Sequence, residues 1–131
     1  MDVRAECQAL WTDTATHYNC TQSVVLPFCE RYGVDKESAR KLGTHFGGGM
    51  RCGGVCGAVS GALMVLGMAG CGEAEADQFL ERYQARYGAL TCAELLQRVG
   101  QGGKVTCAPL VYGAVELLEE LLPPQTPKET P

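Results

Sequence analysis

The sequence predicts an all-α protein, a small multi-helix bundle around a central glycine-rich apolar helix. Three observations predict it. Apolar residues recur at three- and four-residue spacing along most of the chain. Those stretches tend to open on a capping residue and close on glycine. No stretch carries the period-two pattern of a strand, and no internal repeat is present. At 131 residues the chain can build one core, so residues 1–122 are read as a single helical domain.

Taken in order, Val3, Cys7, Leu10 and Trp11 share a helix face, and this first helix is expected to fade near His17. Asn19 is a good N-cap, with Gln22 in the reciprocal position of a capping box. Cys20, Val24 and Phe28 then line one face, Pro27 is expected to kink or shorten the helix, and Gly33 to end it. Asp35 caps a short helix reaching about Thr44. Gly47 to Gly54 reads as a loop, and the apolar helix runs from about Cys56 to Met68. Ala76, Phe79, Leu80, Tyr83 and Tyr87 mark an amphipathic helix stopped at Gly88. Thr91 and Glu94 form a capping box for a helix with Cys92, Leu95, Leu96 and Val99 inward. Thr106 is expected to cap the last helix, with Pro109 in its first turn and an apolar stripe from Cys107 to Leu121. Residues 123–131 read as a disordered proline-rich tail.

Composition excludes several function classes. A net charge of −4 with no run of Lys or Arg argues against nucleic-acid binding, which needs a basic face. The stretch from Cys52 to Gly72 carries no charge and contains Gly57-x-x-x-Gly61, but glycine and serine dilute its hydrophobicity. It reads as a helix enclosed by other helices, not a membrane span. Eight cysteines suit either a disulfide framework or metal and redox thiols. The mixed, acidic start from Met1 to Glu6 does not resemble a secretory signal, which points to a cytoplasmic chain with free thiols.

Four cysteines stand apart. Cys20, Cys92 and Cys107 each follow an expected N-cap, and Cys56 opens the apolar helix. Each also begins an inward face, so four helix starts can turn a thiol toward one interior point. Unpaired N–H groups and the helix dipole favour negative charge there, so these thiols are expected to have lowered pKa values. Four thiolates suit an iron–sulfur cluster or a zinc ion. Gly48, Gly49, Gly54 and Gly57 could bring backbone N–H groups to such a cofactor. Cys7 and Cys29 read as small hydrophobes and Cys71 as incidental. Cys52 and Cys56 form a C-x-x-x-C, which is weaker than the familiar C-x-x-C. The glycine runs lack the Gly-Lys-Ser/Thr of a phosphate loop, and His17 and His45 are isolated.

These residues resemble the C-GCAxxG-C-C family, whose members are described by a redox role and come mostly from anaerobic bacteria and archaea. The resemblance rests on Asn19-Cys20-Thr21-Gln22-Ser23, Phe46 to Met50, Cys56 to Met64, Cys92 to Leu96, and Cys107, nearly the whole chain. It carries the name-giving cysteines onto Cys20, Cys56, Cys92 and Cys107, the four that the helix starts single out. The motif here is a variant, with Gly57 between Cys56 and Ala58 and with Val55 before Cys56. The family also resembles a domain of split-Soret cytochromes, where an iron–sulfur centre accompanies haem. This chain has no C-x-x-C-H, so covalent haem is not expected.

Three functions compete. The first is an electron carrier, not a true enzyme, with the four cysteines on an iron–sulfur cluster, most simply [2Fe–2S], serving a redox partner protein. The second is a metal-free thiol–disulfide oxidoreductase with Cys56 as nucleophile and Cys52 as resolving thiol. The third is a bundle stapled by zinc or by disulfides. A second copy of the chain is a further candidate partner, because so glycine-rich a core gains from more buried surface.

Overall fold

The structure, a computed structural model, describes residues 2–100 and 102–123. The tail expected from residue 123 onward falls outside these, apart from Pro123. Among the described residues the protein is all-α, with no strand. An isolated antiparallel bridge joins Val55 to Thr91.

Helix α1 spans Val3–Trp11, with the Asp2 carboxylate accepting from the Ala5 N–H at 2.8 Å. It stops short of His17. Asp13 ends it by accepting from the N–H groups of Ala15 at 2.8 Å and Thr16 at 3.0 Å, a side-chain turn that competes with helix. Helix α2 spans Cys20–Cys29 behind the expected capping box: Asn19 accepts from the Gln22 N–H at 2.8 Å, and Gln22 accepts from the Asn19 N–H at 2.9 Å. Pro27 lies in its last turn, and a 3₁₀ turn, Glu30–Tyr32, follows before Gly33 at φ 85° ends the run.

Asp35 caps α3, Lys36–Leu42, as expected. Helix α4 spans Gly57–Met68, with Cys56 as its N-cap and not its first residue. Helix α5, Glu73–Tyr87, starts before Ala76 because Glu75 accepts from the Gly72 N–H at 2.9 Å. It ends at Gly88 with φ 86°. Helix α6 spans Cys92–Val99 behind Thr91.

The start of α7, Lys104–Leu121, corrects the expectation for Thr106. Gly103 is the N-cap, and Thr106 lies inside the helix, its hydroxyl donating to the carbonyls of Gly100 at 3.2 Å and Gly103 at 3.1 Å. The extra turn is held from α1: Trp11 Nε1 donates to the Lys104 carbonyl at 3.0 Å, and Lys104 Nζ donates to the Trp11 carbonyl at 2.8 Å. Pro109 therefore lies beyond the first turn. Its missing N–H leaves unpaired the carbonyl of Val105, a residue 83% exposed, where water can bond it.

Helices α2, α4 and α7 pack on one another, α1 covers α2 and α7, and α5 covers α4 and α7. The closest approach is between α2 and α4. A methyl group on Gly57 would lie 2.9 Å from Thr21 Oγ1 and 3.0 Å from Cys20 Cβ, so only glycine fits there. The Thr21 hydroxyl donates to the Gly57 carbonyl at 2.9 Å, which locks the two helix starts together.

Candidate functional site

The locked helix starts place two thiols side by side, and the glycine loop brings a third. From Gly48 to Arg51 the backbone stays left-handed, with φ of 66°, 65°, 57° and 66° in turn. This is one turn of a hand that L-residues disfavour by about 1–2 kcal/mol each. Cys52 then returns to φ −138°, and Gly53 is again left-handed at φ 74°. The reason for the turn lies in packing against α6. A methyl group on Gly49 would collide with the Gly54 carbonyl and lie 2.8 Å from Cys92 Cβ. The Gly54 carbonyl accepts from the Cys92 N–H at 2.7 Å, and the Cys56 N–H donates to the Leu90 carbonyl at 2.8 Å. These two bonds splice the loop to the start of α6 and fix Cys56 against Cys92.

Cys20, Cys56, Cys92 and Cys107 all line one cavity of about 20 Å³. Gly57, Leu95, Leu96, Leu110 and Val111 complete its wall, so among the described residues the lining apart from the thiols is apolar. Cys20 and Cys92 open their helices as expected. Cys107 does not: it is a full turn inside α7, with its N–H donated to the Gly103 carbonyl at 3.2 Å. It reaches the cavity through the face it shares with Leu110 and Val111. Of the glycines singled out, Gly57 lines the cavity, and Gly49 and Gly54 brace Cys92. The Gly54 N–H is taken by the Gly49 carbonyl at 2.9 Å, and a methyl group on Gly48 would meet nothing within 4 Å.

At Cys20, Cys92 and Cys107 the expectation of lowered thiol pKa values is reversed. Burial pushes Cys20 up to about 12, and the neighbouring thiols Cys56, Cys107 and Cys92 push it the same way. Burial, then Cys56 and Cys107, raises Cys92. Burial and then Cys56 raises Cys107, against a smaller opposing pull from the Thr106 hydroxyl. A helix start contributes only about 0.3–1 kcal/mol to an anion, less than one pKa unit. Desolvation outweighs it.

Tyr83 is the neighbour that the sequence did not single out. Its ring is fully buried, its hydroxyl donates to the Leu110 carbonyl at 3.2 Å, and it lies 4.0 Å from Cys56 Sγ. Burial raises its pKa, with a further push from Cys56. Its place in the α5 stripe is legible, but nothing local marks a contact 27 residues away. Leu95, Leu96, Leu110 and Val111 lie on the inward faces expected to begin at Cys92 and Cys107.

The other cysteines lie elsewhere. Cys7 and Cys29 are fully buried, as small hydrophobes would be, and Cys52 is exposed with Sγ 3.5 Å from the Gly49 carbonyl. All eight are free thiols. Among the described residues no group of three or more Cys, His, Asp and Glu side chains is arranged to hold a metal ion. No helix among them is long and apolar enough to cross a membrane.

The class that fold and site define is a small helical bundle that gathers four thiols into one cavity. More particularly, residues 18–121 match the family described as "Putative redox-active protein (C_GCAxxG_C_C)", and the chain belongs to that family. No curated protein and no solved structure matches the chain.

Proposed function

We propose that this protein is an electron carrier in which Cys20, Cys56, Cys92 and Cys107 hold an iron–sulfur cluster, most simply [2Fe–2S]. The observation that carries the reading is the cavity itself: four cysteines from separate elements in an otherwise apolar lining. The donor set matches the four cysteine ligands that such a cluster takes. When bound, the cluster would accept and release single electrons.

The chain's own residues supply the rest. Gly57 lets Cys20 and Cys56 approach, and Gly49 lets the loop pass Cys92. Leu95, Leu96, Leu110 and Val111 give the sulfur atoms an apolar wall. The buried Tyr83 hydroxyl stands beside Cys56 and fixes α5 to α7. Exchange needs an accessible thiolate, but Cys56 is buried, and burial raises the pKa of Cys20, Cys92 and Cys107, which disfavours the exchange reading. Metal coordination removes that obstacle, since it deprotonates a bound thiol outright. Cys52 is also poorly placed to resolve a disulfide on Cys56. One thiol is exposed beside Gly49, and the other is buried beside Tyr83. Free thiols in this number fit a reducing compartment such as the cytoplasm.

The test is purification without oxygen, followed by absorption spectra before and after dithionite and by iron, sulfide and zinc assays. The expected result is broad visible absorption that bleaches, with iron and sulfide in matching amounts. Cys92→Ser should lose most of the cluster, and Cys7→Ser should keep it. Zinc alone would assign a structural site, and a colourless sample that resists reconstitution would return the argument to thiol exchange. Equal loss in both variants would break the assignment of ligands.

A further inference from the structure

Outside the cysteine cavity, a second and larger cleft of about 440 Å³ opens beside Asn19, between the starts of α2 and the glycine loop and the end of α3. The chain has two histidines, and both line it: His17 and His45, together with Arg40 and Arg51. Among the described residues no carboxylate lines the cleft. Arg51 Nη1 stands 3.4 Å from His45 Nδ1, and Arg51 makes no ion pair among the described residues. Arg40 does meet a carboxylate, that of Glu37 on its own helix, at 2.8 Å. In a chain with net charge −4, this gathering of cationic and imidazole groups runs against the composition.

Hydrogen bonds tie two of its walls together. The Asn19 amide donates to the carbonyls of Gly43 at 2.8 Å and Thr44 at 3.2 Å, and the Gln22 amide donates to that of Arg40 at 2.9 Å. These bonds fix the end of α3 against the start of α2. On the facing side Arg51 is held at φ 66°, and it and Met50 are the two non-glycine residues with positive φ among those described. Such a conformation persists only where the surroundings impose it, and here it delivers a guanidinium to the cleft.

We propose that this cleft binds an oxyanion, namely a phosphate group, free or carried on a small molecule. A guanidinium fork matches phosphate oxygens in pairs, and imidazoles add further donors. The site is separate from the cysteine cavity, shares no lining residue with it, and does not depend on a cluster.

The test is isothermal titration of the full chain with inorganic phosphate, with sodium chloride at matched ionic strength as reference. The ring-proton signals of the two histidines are followed on the same samples. Saturable binding of phosphate with movement of both histidine signals is the expected result. Arg51→Gly should weaken it at least tenfold while the melting temperature stays equal or rises, because glycine adopts the left-handed backbone without strain. Tighter binding of a phosphomonoester than of inorganic phosphate assigns the ester as ligand, and the reverse assigns the free ion. A response no larger than that of chloride, or unchanged affinity in Arg51→Gly, overturns the proposal.

Discussion

At Gly57 one hydrogen atom decides whether two helix starts can meet. A methyl group there would press on Thr21 Oγ1 at 2.9 Å, Cys20 Cβ at 3.0 Å and the Phe46 carbonyl at 3.2 Å. Two of these neighbours are close to the backbone and have little room to yield. Gly57→Ala is therefore expected to destabilise by about 1–3 kcal/mol, the usual range for overpacking a tight core. Urea denaturation of the cluster-free protein measures that cost. The same variant should hold less iron, since the displaced atom is Cys20 Cβ. An unchanged midpoint would mean that α2 and α4 part without cost. The residue scale is also where sequence reasoning was least reliable about chemistry. Helix-start position argued for acidic thiols, but the local signal carries no measure of burial, and burial controls the sign at Cys20, Cys92 and Cys107.

Helix boundaries were legible wherever one local hydrogen bond sets them. Asn19, Asp35 and Thr91 all cap their helices as their spacing implies, because donor and acceptor lie within one turn of chain. Thr106 fails for the opposite reason. The start of α7 is set by Trp11, 93 residues away, and no window of sequence shows that contact. The left-handed turn from Gly48 to Arg51 was equally hidden, since Met50 and Arg51 give no sign of positive φ. Asn19 does more than cap, because its amide also bridges to the carbonyls of Gly43 and Thr44. Asn19→Ala is expected to cost about 2 kcal/mol, the upper part of the range for a cap. Asn19→Asp should recover the cap but not the bridge, giving an intermediate midpoint in the same urea experiment. An Asn19→Asp midpoint equal to that of the parent would show that the bridge contributes nothing.

Across the whole molecule, the bundle and the membership of the four-cysteine set were legible, because stripes and caps are periodic and local. The shape of the cavity was not, because Tyr83 and the crossing of α1 with α7 are set by packing at long range. Burial at that scale also sets a dependence of stability on pH, and Cys7 reports it away from the proposed cluster ligands. Its thiol is fully buried between α1 and the core, and burial, with a smaller push from Glu6, raises its pKa from an ordinary 9.0 to about 12. The folded state therefore keeps a proton that the unfolded chain releases. The contribution is complete below pH 9, declines as pH rises, and is gone above about 12. Its slope within that window is about 1.4 kcal/mol per pH unit. Cys7→Ala removes the ionisation at the expense of a small void, so it should be less stable than the parent at pH ~8 by roughly 1 kcal/mol. By pH ~10.5 the parent has lost about 2 kcal/mol that the variant cannot lose, and the order should close or invert. Urea midpoints of the two cluster-free proteins at both pH values measure the difference. A gap that stays constant between them would mean that the Cys7 thiol ionises as readily in the folded protein as in the unfolded chain.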